Sequence, residues 1–322
     1  MKTLLEVKDL KVHYAVKSKL SITGAKRSVK AVDGISFEVF EGETLGLVGE
    51  SGCGKTTTGK AIVRLLTPTA GSILYDGKDI FSCTKEEHKE LSRKIQIIFQ
   101  DPYSSLDPRF TLGRCIGEPL VIHKWKSPAE RREHILQLMR DVGLNEEHYT
   151  RFPHEFSGGQ RQRIGVARSL ALNPSLVVCD EPVSALDVSI QAQILNLMQE
   201  LQQKYSLTYI FISHNLSVIK HISDRIAVMY LGHIVEIANK KDLFANPSHP
   251  YTQSLLDAIP VPNPEITTMS EPLEGDVPSP IDPPSGCVFH TRCKHAKPQC
   301  SEIVPQSKEI EPGHFMACLL ND

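Results

Sequence analysis

The sequence predicts an α/β fold, on three observations. Residues 44–48 are a short apolar run, residues 49–56 a glycine-rich turn, and residues 57–66 carry Ala61, Ile62, Leu65 and Leu66 at helical spacing. Leu176-Val177-Val178-Cys179 and Thr208-Tyr209-Ile210-Phe211-Ile212-Ser213 are continuous apolar runs, the pattern of strands buried on both faces. Helical segments lie among them: residues 128–142, with Ser127 as N-cap, Pro128 in the first turn and Gly143 as terminator, and residues 189–204 after the turn Ser184-Ala185-Leu186-Asp187.

Composition sets the bounds. With 322 residues, one to two domains are expected. Apolar content of 40% and charged content of 23% are those of a globular protein. A net charge of −2 gives no electrostatic case for nucleic-acid binding. No apolar run approaches the roughly 18 residues that a membrane span needs. Charge from Lys2 onward argues against a signal peptide, so a cytosolic protein is expected, with its eight cysteines reduced and available for metal binding or burial.

The elements follow in order. Residues 4–14 alternate like a strand (Leu5, Val7, Leu10, Val12, Tyr14), and residues 18–30 read as a flexible polar insertion. Residues 35–40 alternate again and turn at Glu41-Gly42-Glu43 into the strand at 44–48. Residues 71–77 and 95–99 are two more short strands, the second stopped by Asp101-Pro102. No strand signal appears from there to Leu176, which suggests a helical insert. Residues 161–172 are helical, 225–230 and 234–238 are strands, and 251–259 form a short helix. From Pro260 the composition shifts to an extended linker (Pro260, Pro262, Pro264, Pro272, Pro278, Pro280, Pro283, Pro284), followed by Cys287, Cys293, Cys300 and Cys318.

Chemistry concentrates at the ends of the strands. Gly49-Glu50-Ser51-Gly52-Cys53-Gly54-Lys55-Thr56 fits G-x-x-x-x-G-K-[ST], a phosphate-binding loop, with Thr57 opening the helix beyond it. Its glycines let the backbone N–H groups converge on phosphate at a helix N-terminus. Lys55 can reach the β- and γ-phosphates, and the Thr56 hydroxyl can hold Mg²⁺. The strand at 176–179 delivers Asp180, suited to Mg²⁺, and Glu181, suited to deprotonate a water. Two carboxylates at the end of a buried strand are costly without a cation or a function. Other positions stay open on local grounds. Gln100 ends a strand, as a ligand contact or a loop glutamine. Ser157-Gly158-Gly159-Gln160 opens a helix, as an ordinary cap or a second phosphate contact. His214 ends a strand, as a γ-phosphate contact or a structural histidine. Tyr14 is suited to stack on a purine or to sit half-buried in its strand.

Taken in order, these motifs resemble ATP-binding-cassette ATPases. Within that family they are most similar to the ATPase subunits of bacterial dipeptide and oligopeptide importers, of the type with an insertion after the first strand. The carrying stretches run from Gly42 to Lys55, from Ile97 to Arg109, from His154 to Arg163 and from Cys179 to Ser189. The resemblance implies a phosphate-loop core with an antiparallel β subdomain, a helical insert subdomain and a small cysteine-containing extension. It divides the chain into an ATPase domain at 1–259, with the insert at about 104–165, and an extension at 260–322.

It also implies roles. Two ATPase domains pair head to tail, so Ser157, Gly158, Gly159 and Gln160 would meet ATP held by the partner's phosphate loop. Glu181 would be the general base and His214 would position the γ-phosphate and the water. Asp187 would lie at the dimer interface. Gln100 would contact Mg²⁺, with Thr56 and Asp180, and link the site to the insert. Tyr14 would stack on adenine. The implied partners are a second, different ATPase subunit, two membrane permeases and, indirectly, an extracytoplasmic peptide-binding protein, with no nucleic acid. The place is the cytoplasmic face of the membrane. Phe156 stands where the wider family has leucine, and Asn215 where aspartate is usual. Other cargo such as nickel, a soluble ATPase of the same fold and a non-hydrolysing nucleotide sensor are the competing readings. The soluble type usually has tandem cassettes or a long coiled coil, and this chain has neither.

The tail spacing C-x5-C-x6-C, with a fourth cysteine after seventeen residues, matches neither a paired zinc pattern nor a ferredoxin run. Four thiolates suit a cubane cluster or a tetrahedral zinc, and plain burial without metal is the third possibility. Arg292, Lys294, His295 and Lys297 are placed to offset thiolate charge. The resemblance points to a [4Fe-4S] cluster on Cys287, Cys293, Cys300 and Cys318. Cys53, Cys83, Cys115 and Cys179 are spread through the ATPase domain.

Overall fold

The computed structural model describes residues 2–16, 27–103, 105–125, 127–258 and 275–321. Strands β1 (Thr3–Ala15), β2 (Ser28–Phe40) and β3 (Thr44–Val48) precede helix α1 (Lys55–Ile62). Strands β4 (Ala70–Tyr75) and β5 (Lys78–Asp79), helix α2 (Lys85–Lys94) and strand β6 (Ile95–Ile98) follow. Then come α3 (Leu112–Ile122), α4 (Pro128–Asp141), α5 (Gly158–Leu170), β7 (Leu176–Asp180), α6 (Val188–Tyr205), β8 (Thr208–Ser213) and α7 (Leu216–Ile222). The chain continues through β9 (Arg225–Tyr230), β10 (His233–Asn239), α8 (Lys240–Ala245) and α9 (Pro250–Asp257) to β11 (Lys308–Glu311) and β12 (His314–Met316). Among the described residues no helix is long and apolar enough to cross a membrane.

The chain divides into two compact units. One takes in the described residues of Met1–Lys2, Val39–Thr44 and Ser82–Ile212, the other those of Thr3–Glu38, Leu45–Phe81 and Ser213–Asp322.

In the first unit β6, β7 and β8 run parallel, Ile95 facing Leu176 and Leu176 facing Thr208. Strands β7 and β8 are buried along their whole length, as their unbroken apolar sequence requires. The helices begin where the sequence supplies caps. Ser127 Oγ accepts from Glu130 N while Glu130 closes back on Ser127 N, behind Pro128 at the first turn. Ser157 and Gln160 form the same reciprocal box on α5. Among the described residues no strand forms between Ile98 and Leu176, an interval that includes α3 and α4. Helix α2 carries no expectation from the sequence, and α3 falls inside the expected helical insert without an individual assignment. α2 has almost no apolar face, and α3 contains Pro119.

In the second unit β2, β1, β4 and β5 form an antiparallel sheet in that order, Leu5 facing Tyr75. Strands β11, β12, β10, β9 and β3 lie side by side, with β3 and β9 parallel and the remaining pairs antiparallel. The tail therefore contributes strands as well as cysteines: Glu236 of β10 faces Met316 of β12. One expectation is corrected in extent. Strand β2 already begins at Ser28, inside the segment read as an insertion. Residues 18–26, Ile259, Pro260, Pro262, Pro264 and Pro272 lie outside the described residues.

A buried polar node ties the tail to this unit. The Glu236 carboxylate, 1% exposed, accepts from His314 Nε2 at 2.7 Å, Ser248 N at 2.8 Å and His249 N at 3.0 Å. A buried carboxylate is tolerated when donors satisfy it in this way. His249 Nδ1 in turn accepts from Tyr251 N at 3.0 Å and caps α9. Tyr230, Tyr251 and Phe289 pack ring against ring beside it.

Burial pushes the His249 imidazole down to about 4, so it is neutral in the fold at neutral pH. The folded value lies below the unfolded one, so this contribution is complete above about pH 6.5 and is lost as pH falls toward about 4. Its full size is of order 3 kcal/mol. Chemical unfolding at pH 7 and pH 5 should show the wild type losing stability more steeply than His249→Asn, which keeps a cap oxygen but has no proton to take up. Parallel losses in the two proteins would exclude His249 as a source of acid sensitivity.

Candidate active site

The phosphate-loop sequence is built where the second unit needs it. Strand β3 is buried throughout and delivers Gly49 at its end. Gly49 has φ +156°, and a Cβ there would lie 2.0 Å from Met229 O. Gly54, with φ +108°, caps α1 and would bring a Cβ within 2.1 Å of Ala31 O. No side chain fits at either position, and at Gly54 the backbone conformation also favours glycine. Thr56 and Thr57 lie in the first turn of α1. Lys55 is 5% exposed, and its ammonium donates to Gly49 O at 2.7 Å and Glu50 O at 2.9 Å. It also points to Cys53 Sγ at 3.6 Å. Burial holds the Cys53 thiol above its usual range, so it forms an uncharged wall of the loop. Ser51 and Gly52 are exposed at the tip. A glycine loop at a helix N-terminus with a held ammonium is suited to a polyanion.

In the first unit β7 presents Asp180, 4% exposed, and then Glu181. Glu181 has φ +47°, a left-handed conformation that costs a non-glycine residue about 1–3 kcal/mol. Its N–H donates to Ile212 O at 3.0 Å. Gln100 Nε2 donates to Glu181 Oε2 at 3.1 Å and reaches Ser184 Oγ at 3.5 Å. The Ser184 hydroxyl donates to Glu181 O at 3.0 Å. The strained turn and its bonds aim one carboxylate outward from the end of a buried strand.

Asp187 caps α6. Its Oδ1 accepts from the Ser189 hydroxyl at 2.7 Å and Ile190 N at 3.0 Å, and these bonds hold the carboxyl below its usual value, the serine first. Val188 beside it is 81% exposed. Gly158 is exposed at the start of α5, while a Cβ on Gly159 would lie 2.6 Å from Ile190 Cγ2. Gly159 therefore has a packing reason of its own, in addition to any ligand.

Both sequence departures have a local explanation. Phe156 is buried and meets the His148 ring edge-on at 5.2 Å between centroids. Asn215 Oδ1 caps α7, accepting from Ser217 N at 2.9 Å and Val218 N at 3.4 Å. His214 is exposed just after β8, and Tyr14 is 42% exposed near the end of β1.

In the tail, Cys287, Cys293, Cys300 and Cys318 line one cavity together with Phe289, His290 and His295. Burial pushes the Cys287 thiol up to about 11 and raises those of Cys293 and Cys318, while Lys297 opposes the rise at Cys318. Among the described residues no three His, Cys, Asp or Glu side chains are gathered at the spacing of a single metal ion. One expectation is corrected. Arg292 does not serve the thiolates, because its guanidinium is committed to Glu50 Oε2 at 2.7 Å and Oε1 at 3.2 Å.

The structure thus groups the loop residues Gly49 to Lys55, the cluster Gln100–Glu181–Ser184, the Ser157–Gln160 cap and the four cysteines. Sequence reasoning did not pair Ser184 with Glu181, or Tyr251 and Arg292 with Glu50. Ser184 was legible only as a turn residue, and nothing local ties the other two to Glu50.

Comparison with known proteins adds the relationships. Residues 32–184 match the ABC transporter family model, and residues 235–300 match the model of the oligopeptide/dipeptide transporter C-terminal region. The chain is 53% identical over 321 residues to the oligopeptide transport ATP-binding protein AppF of Bacillus subtilis, covering 99% of this chain and 97% of that protein. It is 50% identical over 325 residues to OppF of Salmonella typhimurium, also an oligopeptide transport ATP-binding protein, covering 100% and 97%. A dimeric ATP-binding cassette, MJ0796 bound to ADP and Pi, superposes with TM-score 0.65 at 26% identity, covering 74% of this chain and 99% of that one. CbiO1 from Clostridium perfringens, part of the transporter complex cbiONQ, gives TM-score 0.65 at 26% identity, covering 76% and 92%.

Because Asn and Asp cap helices equally well, Asn215→Asp should leave the melting temperature nearly unchanged, whereas Asn215→Ala should cost about 1 kcal/mol. A large loss in the aspartate variant would show that Asn215 does more than cap α7.

Proposed function

The chain belongs to the ATP-binding proteins of ABC transporters, in the oligopeptide/dipeptide group, and from that premise we propose how its residues power peptide import. It is the ATPase subunit of the importer, coupling ATP hydrolysis to transport. The observation that carries the residue assignment is Glu181, strained at the end of β7 with its carboxylate bonded to Gln100.

The phosphate-loop N–H groups and Lys55 bind the β- and γ-phosphates. The donors suit Mg²⁺: a hydroxyl from Thr56, an amide oxygen from Gln100 and the Asp180 carboxylate, whose burial at the end of an apolar strand favours a cation. Mg²⁺, when bound, neutralises charge developing on the phosphates. Glu181 takes a proton from water as its oxygen attacks the γ-phosphorus, and the bond to the ADP oxygen breaks, releasing phosphate. His214 orients the γ-phosphate and the water, and Tyr14 stacks on the adenine.

Ser157, Gly158, Gly159 and Gln160 complete the site of a second, different ATPase subunit, with Asp187 at the interface. The exposed Gly158 and Val188 support such a contact. Closure then needs ATP, and hydrolysis removes what holds the dimer shut. The subunit acts at the cytoplasmic face of the membrane against two permeases, which an extracytoplasmic peptide-binding protein supplies.

The four tail cysteines would hold a [4Fe-4S] cluster. Their shared cavity and soft donor set support this. The cluster would take thiolates, so the buried thiols must release their protons on loading.

Glu181→Gln should cut phosphate release about 100-fold or more while ATP affinity persists. Lys55→Ala should instead weaken ATP binding itself. Undiminished turnover in the first variant, or unchanged affinity in the second, would remove the residue from its role. Protein purified without oxygen should be brown, with iron and sulfide at about four each per chain. Colourless protein carrying zinc would replace the cluster with a zinc site.

A further inference from the structure

We infer that Arg292, in the cysteine-bearing extension, is a positioning residue for the phosphate loop, acting through Glu50. The inference rests on the loop's proposed role as the ATP site. It concerns how the extension controls that loop.

Glu50 is held at three groups. Its carboxylate takes two hydrogen bonds from Arg292, at 2.7 and 3.2 Å. Its N–H donates to the Tyr251 hydroxyl at 3.0 Å. Its carbonyl accepts from the Lys55 ammonium at 2.9 Å. The lysine that meets phosphate is thus bonded to a residue whose place is set from outside the loop. Two parallel N–H···O bonds fix the orientation of the carboxylate as well as its distance. The Arg292 side chain is only 6% exposed, so solvent screens the pair little.

Arg292 is itself well held. Its guanidinium lies 5.9 Å from the Tyr230 ring centre and within 3.5 Å of the Tyr230 hydroxyl. It ends a short 3-10 turn, His290–Arg292, between Cys287 and Cys293. His290 Nδ1 bonds with Cys287 O at 2.8 Å. Phe289, 1% exposed, anchors the turn against Tyr230 and Tyr251. The order of the cysteine segment therefore reaches the loop through the Arg292–Glu50 ion pair, alongside the packing of Phe289 on Tyr251. Glu50 and Arg292 are 242 positions apart, so the pair forms only once the extension has folded back.

The test is a double-mutant cycle in the full-length protein with Arg292→Ala, Glu50→Gln and both together. Its readouts are Mg-ATP affinity by titration and KM and kcat in the assembled transporter. Charge-assisted bonds of this kind predict about five- to tenfold weaker ATP binding in each single variant. The rise should appear in KM, with kcat nearly constant. Once Glu50 is Gln, losing Arg292 should add little. Arg292→Lys should recover only part of the affinity, because an ammonium lacks the fork. A merely structural Arg292 would lower the melting temperature without changing affinity well below it. Unchanged affinity in Arg292→Ala, or losses that simply multiply in the double variant, would overturn the inference. If Arg292→Ala does not fold, Glu50→Gln alone decides, since it should show the same KM rise. Wild-type protein that fails to bind Mg-ATP would instead overturn the proposed site.

Discussion

The second unit depends on how closely one loop of backbone must approach two others. Between β3 and α1 the chain passes so near Met229 O and Ala31 O that Gly49 and Gly54 have no room for a Cβ. That approach fixes the start of α1, and with it the direction of the N–H groups that can meet an anion. Lys55 then folds its ammonium back onto the Gly49 and Glu50 carbonyls. The loop is thus shaped by its own protein neighbours, so the cost of ordering it is met on folding rather than on binding.

The first unit solves a different problem, that of presenting charge from an apolar strand. Strand β7 is buried at every residue, yet it ends in two carboxylates. The turn at Glu181 takes a left-handed conformation and is secured by Ile212 O, Ser184 and Gln100. Strain of this kind persists only where its surroundings over-determine it, and here three separate segments do so. The caps Ser157, Asp187 and Asn215 show the same economy. Each residue starts a helix and also occupies a position that the proposed chemistry uses or borders.

Much of this was legible in the sequence because its causes are local. The extents of β7, β8, β9 and β10 follow from unbroken or alternating apolar runs, and α4 from Ser127, Pro128 and Gly143. The glycine loop announces itself by spacing. Helix α2 was silent because it buries almost nothing, and α3 because Pro119 interrupts its pattern. In the tail, β11 and β12 are four and three residues long, too short for periodicity to register. The Arg292–Glu50 pair was invisible for a deeper reason: an ion pair spanning most of the chain leaves no local pattern. Arg292 was accordingly matched with its sequence neighbours, the cysteines, when its partner lies in the loop.

The tail strands also change how the sheet meets solvent. Without them β10 would be the last strand, with the run Ile-Val-Glu-Ile-Ala presenting unpaired backbone groups to any passing chain. Such edges template pairing between molecules. Strand β12 covers that edge, and the new outermost strand, β11, reads Lys-Glu-Ile-Glu, short and charged. The extension therefore leaves this sheet with a short, charged outer strand in place of an apolar one, a feature independent of whatever its cysteines hold.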